Sequence, residues 1–384
     1  MFKLPVTTRS LGEIEEISSK ILPGSSVDLA VGLEDLKRRR GALHDAAFTQ
    51  LLVTWARKHT EAAFVIDALA ESYSAKGLED GVSYSPAVAA IRLAGGIRWG
   101  GKEITRHEAL SGASQRILAA DAGDYGALNK GRCVDMICVS GASSQYLWPL
   151  FSARDAVAVR PKTQLEPMIR SLLGEVAKGD SASVPAKTIS ALGSLTHELF
   201  LNTQEHAIHD LSGRPYVRHV EGLFASWTTI DEDVYGKDFD ATENLKDYWK
   251  TMMFTGAASN TGAKLRVFVL SFFDSGPGMA CRFTGKSTDD LSKGDELDAL
   301  MTCLKMHQTS KSVQGAGGGL TDVLGEVKKL NGLIRIRSGR QSIYNCFTPG
   351  VERDLVQFES WHSQSTELAA MAGTVVSVVI PLHR

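Results

Sequence analysis

The sequence predicts an α/β or α+β protein in two parts: a smaller N-terminal α/β module over residues 1–155 and a C-terminal α/β unit over residues 165–384. Two observations predict it. Short apolar runs of strand length alternate with longer stretches that carry apolar residues every three to four positions, as strands interleaved with helices do. With 384 residues, 43% of them hydrophobic, the chain exceeds one ordinary domain and can bury a core in each half.

Ser10-Leu11-Gly12-Glu13 has capping-box spacing and opens a helix through Ile14 to Ile21, closed by Pro23-Gly24. Ser26–Val31 reads as a strand, and Leu33–Arg57 as mostly helix with a break at Gly41. Ala62–Ile66 is a buried strand, Ala87–Leu93 a short helix and Val134–Val139 a second buried strand. Gly141-Ala142-Ser143-Ser144 lacks the glycine spacing and lysine of a P-loop and reads as a simple turn. The boundary falls near Arg160-Pro161-Lys162. Beyond it Ile169, Leu172, Leu173 and Val176 mark one helix, and Lys178–Ser183 is a polar break. Ile189, Leu192, Leu195 and Leu199 mark a second helix, from Pro185 to Ile208. Residues 209–262 read as an irregular insertion, and Leu265–Phe273 as a strand. Leu320, Val323, Leu324, Val327 and Leu330 form a helix stripe that Asn331-Gly332 ends. Leu333, Ile334 and Ile336 follow as a strand with Arg335 and Arg337 facing out, and Thr374–Ile380 is the last strand.

A net charge of -2 argues against nucleic-acid binding driven by bulk charge. The basic run Lys37-Arg38-Arg39-Arg40 reads as a solvated face. Cys133, Cys138, Cys281, Cys303 and Cys346 have no Cys-x-x-Cys or zinc spacing and read as reduced thiols. With neither a signal-peptide pattern nor a membrane-length apolar run, the expected location is cytoplasmic.

Four segments carry chemistry. Glu198 and Asn202 stand four apart on one helix and share a face; a carboxamide oxygen suits Mg²⁺, and a carboxylate can take a proton from water. Alone, the pair also suits a solvated helix surface. Asp274 ends a buried strand and opens Asp-Ser-Gly-Pro-Gly-Met, where a carboxylate can accept a hydrogen bond from an exocyclic amine while Gly276 and Gly278 let backbone approach a base. A type II turn is the plainer reading of that segment. Gly315, Gly317, Gly318 and Gly319 run directly into the helix that begins at Leu320, which presents amide groups and a positive dipole end to an anion. Thr309 and Lys311, just upstream, add a hydroxyl and a cation. Gly373-Thr374 opens the last strand.

In this order the four segments resemble the boxes of the GHKL superfamily: gyrase, the heat-shock ninety chaperones, histidine kinases and MutL. The resemblance covers residues 165–384. It implies a Bergerat-type α/β sandwich, a mixed sheet with helices on one face, that binds ATP and Mg²⁺. It assigns Asn202 to the metal, Glu198 to the general base, Asp274 to adenine, and Thr374 to the edge of the adenine pocket. His206 matches a position near the phosphates, and residues 281–314 match the ATP lid. The chain departs from the pattern at 209–262 and at Ser338–Ala372, and after Ile380 it leaves no room for a transducer domain. His107 and His197 lack the setting of a phosphoacceptor and read as ordinary helix histidines. The resemblance therefore implies a slow Mg-dependent ATPase working as a switch with a protein partner, met through the N-terminal module or the lid, in a regulatory or anti-phage role. It allows a homodimer; membrane and nucleic acid are not indicated. The alternatives are a histidine or serine protein kinase of the anti-sigma-factor type, and a nucleotide-sensing module without turnover.

Overall fold

The computed structural model describes the chain except residues 6–9, 25, 69–74, 141–149, 154–157, 231–237, 239–241, 257–264, 310–318, 363–365 and 383–384. The class is mixed α/β, as expected. A five-stranded sheet is formed by β1 (Phe2–Lys3), β2 (Leu29–Gly32), β3 (Ala63–Asp67), β4 (Gly96–Trp99) and β5 (Lys102–Glu103). Its first four strands are parallel, and β5 returns antiparallel to β4.

Around it lie α1 (Leu11–Ile21), α2 (Leu33–Lys37), α3 (Ala42–Lys58), α4 (Ala75–Gly81) and α5 (Ser85–Leu93). The capping box forms at α1: Ser10 Oγ accepts from the Glu13 amide, and Glu13 reaches back to the Ser10 amide. Gly41 breaks the next helical stretch where the sequence places the break, because its φ of +97° belongs to glycine.

After α6 (Arg106–Ala109), α7 (Ser111–Ala122) and α8 (Tyr125–Leu128), the chain enters the second sheet through β6 (Cys133–Ser140). A small hairpin, β7 (Phe151–Ala153) with β8 (Ala158–Val159), precedes the paired helices α9 (Lys162–Ala177) and α10 (Ala186–Ala207). β9 (His219–Ile230), α11 (Glu243–Gly256), β10 (Leu265–Asp274), α12 (Met279–Thr284), α13 (Lys293–Thr309) and α14 (Gly319–Lys329) follow. β11 (Leu333–Gly339), β12 (Gln341–Cys346), β13 (Glu359–Ser360) and β14 (Met371–Pro381) complete the chain. The second sheet has the order β13-β12-β11-β14-β10-β9-β6. Its ladders among the described residues are all antiparallel, so it is not the mixed sheet expected.

Further expectations need correction. Helices cover both faces of this sheet rather than one. The reason lies in β10, where Phe268, Leu270 and Phe272 face α9, α10 and α14, while Val267, Val269 and Phe273 face α3 and α11. A strand apolar on both sides has to be covered on both. Second, residues 209–262 are not merely irregular: β9 is the central partner of both β10 and β6, and α11 packs beside it. Third, the division near residue 160 does not separate two sheets, since β6 pairs along its full length with β9. Fourth, Arg39 and Arg40 are not solvated. Arg39 lies over the Tyr84 ring and 3.8 Å from Asp135, and Arg40 lies 3.2 Å from Asp35.

Arg335 and Arg337 follow the predicted alternation but face protein, each 1% exposed. Glu15 of α1 covers them, accepting from Arg337 Nε at 2.7 Å and Nη2 at 2.9 Å, with Arg335 3.9 Å away. Burial raises the Glu15 carboxyl, but the Arg337 guanidinium outweighs it and leaves it below the usual range. The five cysteines are free thiols, and among the described residues no helix is long and apolar enough to cross a membrane.

Candidate functional site

One pocket gathers side chains from segments far apart in sequence. Leu199, Asn202, Thr203, His206 and Ala207 come from α10; Asp274, Pro277, Gly278, Met279 and Arg282 come from the end of β10 and from α12. Leu320 of α14, Ile336 of β11, and Thr374 and Val376 of β14 close it. Asn202 and His206 are there because residues four apart on α10 share a face.

Asp274 is 5% exposed. Its Oδ1 accepts from the Gly276 amide at 2.8 Å and its Oδ2 from the Thr374 amide at 3.2 Å. Burial pushes its carboxyl up to about 6, against the lowering effect of the Gly276 amide. His219 and Glu221 bear on the same carboxyl, and Glu221 is its register partner on β9.

Two of the glycines also have a packing role. A Cβ on Gly276 would stand 2.7 Å from the Ala207 carbonyl oxygen, so this glycine lets the turn close on the end of α10. A Cβ on Gly373 would stand 2.0 Å from the Asp274 carbonyl oxygen, and Gly373 has a φ of +66°. The Gly373 amide donates to the Gly276 carbonyl at 2.7 Å, locking the second and fourth segments together. Gly278 keeps the expected freedom, with a φ of +88°. Ser338 ties the assembly: its Oγ accepts from the Met279 amide at 2.9 Å and lies 3.1 Å from Thr374 Oγ1.

Glu198 stands apart from this pocket. It lines a neighbouring cleft with Lys162, Ser194, Thr321 and Asp322, and its Oε1 is 2.7 Å from Lys162 Nζ. The backbone explains the pairing, because His197 Nδ1 lies 2.9 Å from the Arg160 carbonyl oxygen and holds the start of α9 against α10. Thr309 is the last residue of α13 and Gly319 the first of α14. Lys311, Gly315, Gly317 and Gly318 lie outside the described residues, as does the turn at 141–144. The structure thus brings together Asn202, His206, Asp274, Gly278, Leu320 and Thr374, with Gly276 behind them, and keeps Glu198 one cleft away.

Sequence reasoning missed Arg282 and Ser338. Arg282 carries a weak signal, a cation one helical turn past Gly278. Ser338 carries none, since it reaches the site only through the pairing of β11 with β14. Protein-family models, curated proteins and solved structures were compared with the chain, and none of the three comparisons gave a match.

Proposed function

We propose that this chain binds ATP with Mg²⁺ in the Asp274 pocket and hydrolyses it slowly as a nucleotide-dependent switch with a protein partner. The observation that carries the reading is the convergence on one pocket of residues from all four segments, which stand up to 172 positions apart between Asn202 and Thr374. Chance likeness in four short segments gives no reason for them to meet around one cavity.

The pocket suits a base with a phosphate tail. Apolar walls from Leu199, Leu320, Ile336 and Val376 suit a purine face, and Asp274 at the floor offers an acceptor to an exocyclic amine. His206 and Arg282 add donors and positive charge for phosphates. Asn202 offers its carboxamide oxygen to a metal; bound Mg²⁺ would neutralise charge on the phosphates. Among the described residues no cluster of three or more His, Cys, Asp and Glu side chains is placed to hold a metal, so Asn202 and the phosphates would be its ligands here.

Glu198 is the candidate base, and in this arrangement its carboxylate carries Lys162. Lys162 is 47% exposed, and such a pair is worth only about 0–1 kcal/mol, so a phosphate can draw the lysine away and free the carboxylate. The same pair favours a second reading, a nucleotide-sensing module without turnover, because a base held in an ion pair takes no proton. Incubation with γ-labelled ATP separates the readings. Free phosphate supports the ATPase, label on protein supports a kinase, and bound but intact nucleotide supports the sensor. Absence of nucleotide binding in the wild type would overturn all three. A cytoplasmic setting, with five free thiols and no membrane-crossing helix among the described residues, fits this reading.

A further inference from the structure

α3 is buried between the two sheets, yet it carries a polar row. Gln50, Thr54 and Arg57 stand at i, i+4 and i+7, on one face of the helix. Each is directed at main-chain atoms of the segments that build the pocket. Gln50 Nε2 donates to the Arg337 carbonyl at 3.0 Å and to the Ala372 carbonyl at 3.3 Å. Thr54 Oγ1 accepts from the Ala372 amide at 3.0 Å. Arg57 Nε donates to the Ser275 carbonyl at 3.0 Å, and its Nη2 to the Arg218 carbonyl at 2.9 Å and to Ser275 Oγ at 3.2 Å. Its guanidinium lies 4.1 Å from the Tyr216 ring centroid, and Tyr216 stacks on His219.

We propose that α3 is the positioning element of the nucleotide pocket, with Arg57 as its main positioning residue. The argument is one of adjacency. Ser275 follows Asp274, so fixing its carbonyl and hydroxyl fixes the direction of the Asp274 carboxyl. Ser275 Oγ is held from the other side too, by the Val220 amide at 2.9 Å and by His219 Nδ1 at 3.0 Å. Ala372 precedes Gly373, whose amide closes on Gly276. One helix face therefore sets both loops of the pocket floor, and the same helix packs against the N-terminal core. A partly buried guanidinium fork fixes two acceptors at once, which a shorter or monodentate donor does not. The link makes pocket geometry depend on the N-terminal module, which gives a bound partner there a route to the site. What the pocket holds rests on the nucleotide reading; the link itself rests on the hydrogen bonds.

Two measurements on the full chain test it. Hydrogen exchange without nucleotide should show the amides of Gly276, Gly278, Met279, Gly373 and Thr374 exchanging about tenfold faster in Arg57→Ala than in wild type. ADP titration should show affinity about tenfold weaker in Arg57→Ala, intermediate in Arg57→Lys and unchanged in the exposed Lys58→Ala. Should Arg57→Ala not fold, Gln50→Leu, which keeps the volume and removes two donors, takes its place. Unchanged exchange in a folded variant overturns the proposal. So does unchanged ADP affinity where the wild type binds ADP. A wild type that binds no ADP instead overturns the nucleotide reading, and the exchange result still decides whether α3 positions the loops.

Discussion

Asp274 shows how one residue's environment sets its chemistry. Its carboxyl is raised to about 6 by burial, so the ionised acceptor that would take an adenine amine exists above that pH and is lost below it. ADP affinity should therefore hold from about pH 8 to about pH 6.5 and fall by up to tenfold per unit below about pH 6, by calorimetric titration. Asp274→Ala should abolish binding at every pH; tight binding in that variant would remove Asp274 from the site. For stability the sign is opposite. A raised carboxyl contributes most at low pH, and its contribution is lost as pH rises through about 6, so Asp274→Asn should flatten that part of the pH–stability curve. Glu198→Gln should leave ATP binding intact and abolish phosphate release, because the amide keeps the shape and cannot take a proton. Phosphate release at the wild-type rate would end the role of Glu198 as base.

At the scale of elements, α1 carries the plainest predictions. Its N-terminus is held twice, by the Ser10–Glu13 capping box and by Asp238, which accepts from the Leu11 amide at 3.0 Å. Ser10→Ala should cost about 1 kcal/mol in urea unfolding, since it frees the Glu13 amide while Asp238 still holds those of Leu11 and Gly12. Glu15→Ala should cost more, about 3–5 kcal/mol, because it leaves the Arg335 and Arg337 guanidiniums buried without their carboxylate. A smaller loss in Glu15→Ala than in Ser10→Ala would mean that β11 is not held through this pair.

At the scale of the whole molecule, the two halves share one core. α3 packs against β9, β10 and β14, and β6 of the N-terminal stretch completes the second sheet. A polypeptide of residues 165–384 alone should therefore fail to fold as a monomer. It would expose the Val267, Val269 and Phe273 face and an unpaired β9 edge, and gel filtration should show aggregate. A monodisperse, cooperatively melting fragment would refute the shared core.

What the sequence determined by itself is local in origin. Capping at Ser10, the break at Gly41, the apolar stripes of α9, α10 and α14, and the stop at Asn331, with its φ of +50°, follow from neighbours within a few residues. The segments proposed to bind nucleotide could be picked out for the same reason, since Glu198–Asn202 and Asp274–Gly278 each make their pattern within one turn of helix or one loop. The tertiary structure decided the rest. Alternation in β11 placed Arg335 and Arg337 on one face, but only the docking of α1 put that face inside. β9 escaped notice because its neighbours β10 and β6 lie distant in sequence, and burial on both faces hides the polar alternation. Arg57, Gln50 and Thr54 gave no local sign of their role, because each meets its partner more than 160 residues away. Local pattern picked out the segments that reach one pocket; long-range packing, which no local pattern encodes, decided what holds those segments in place.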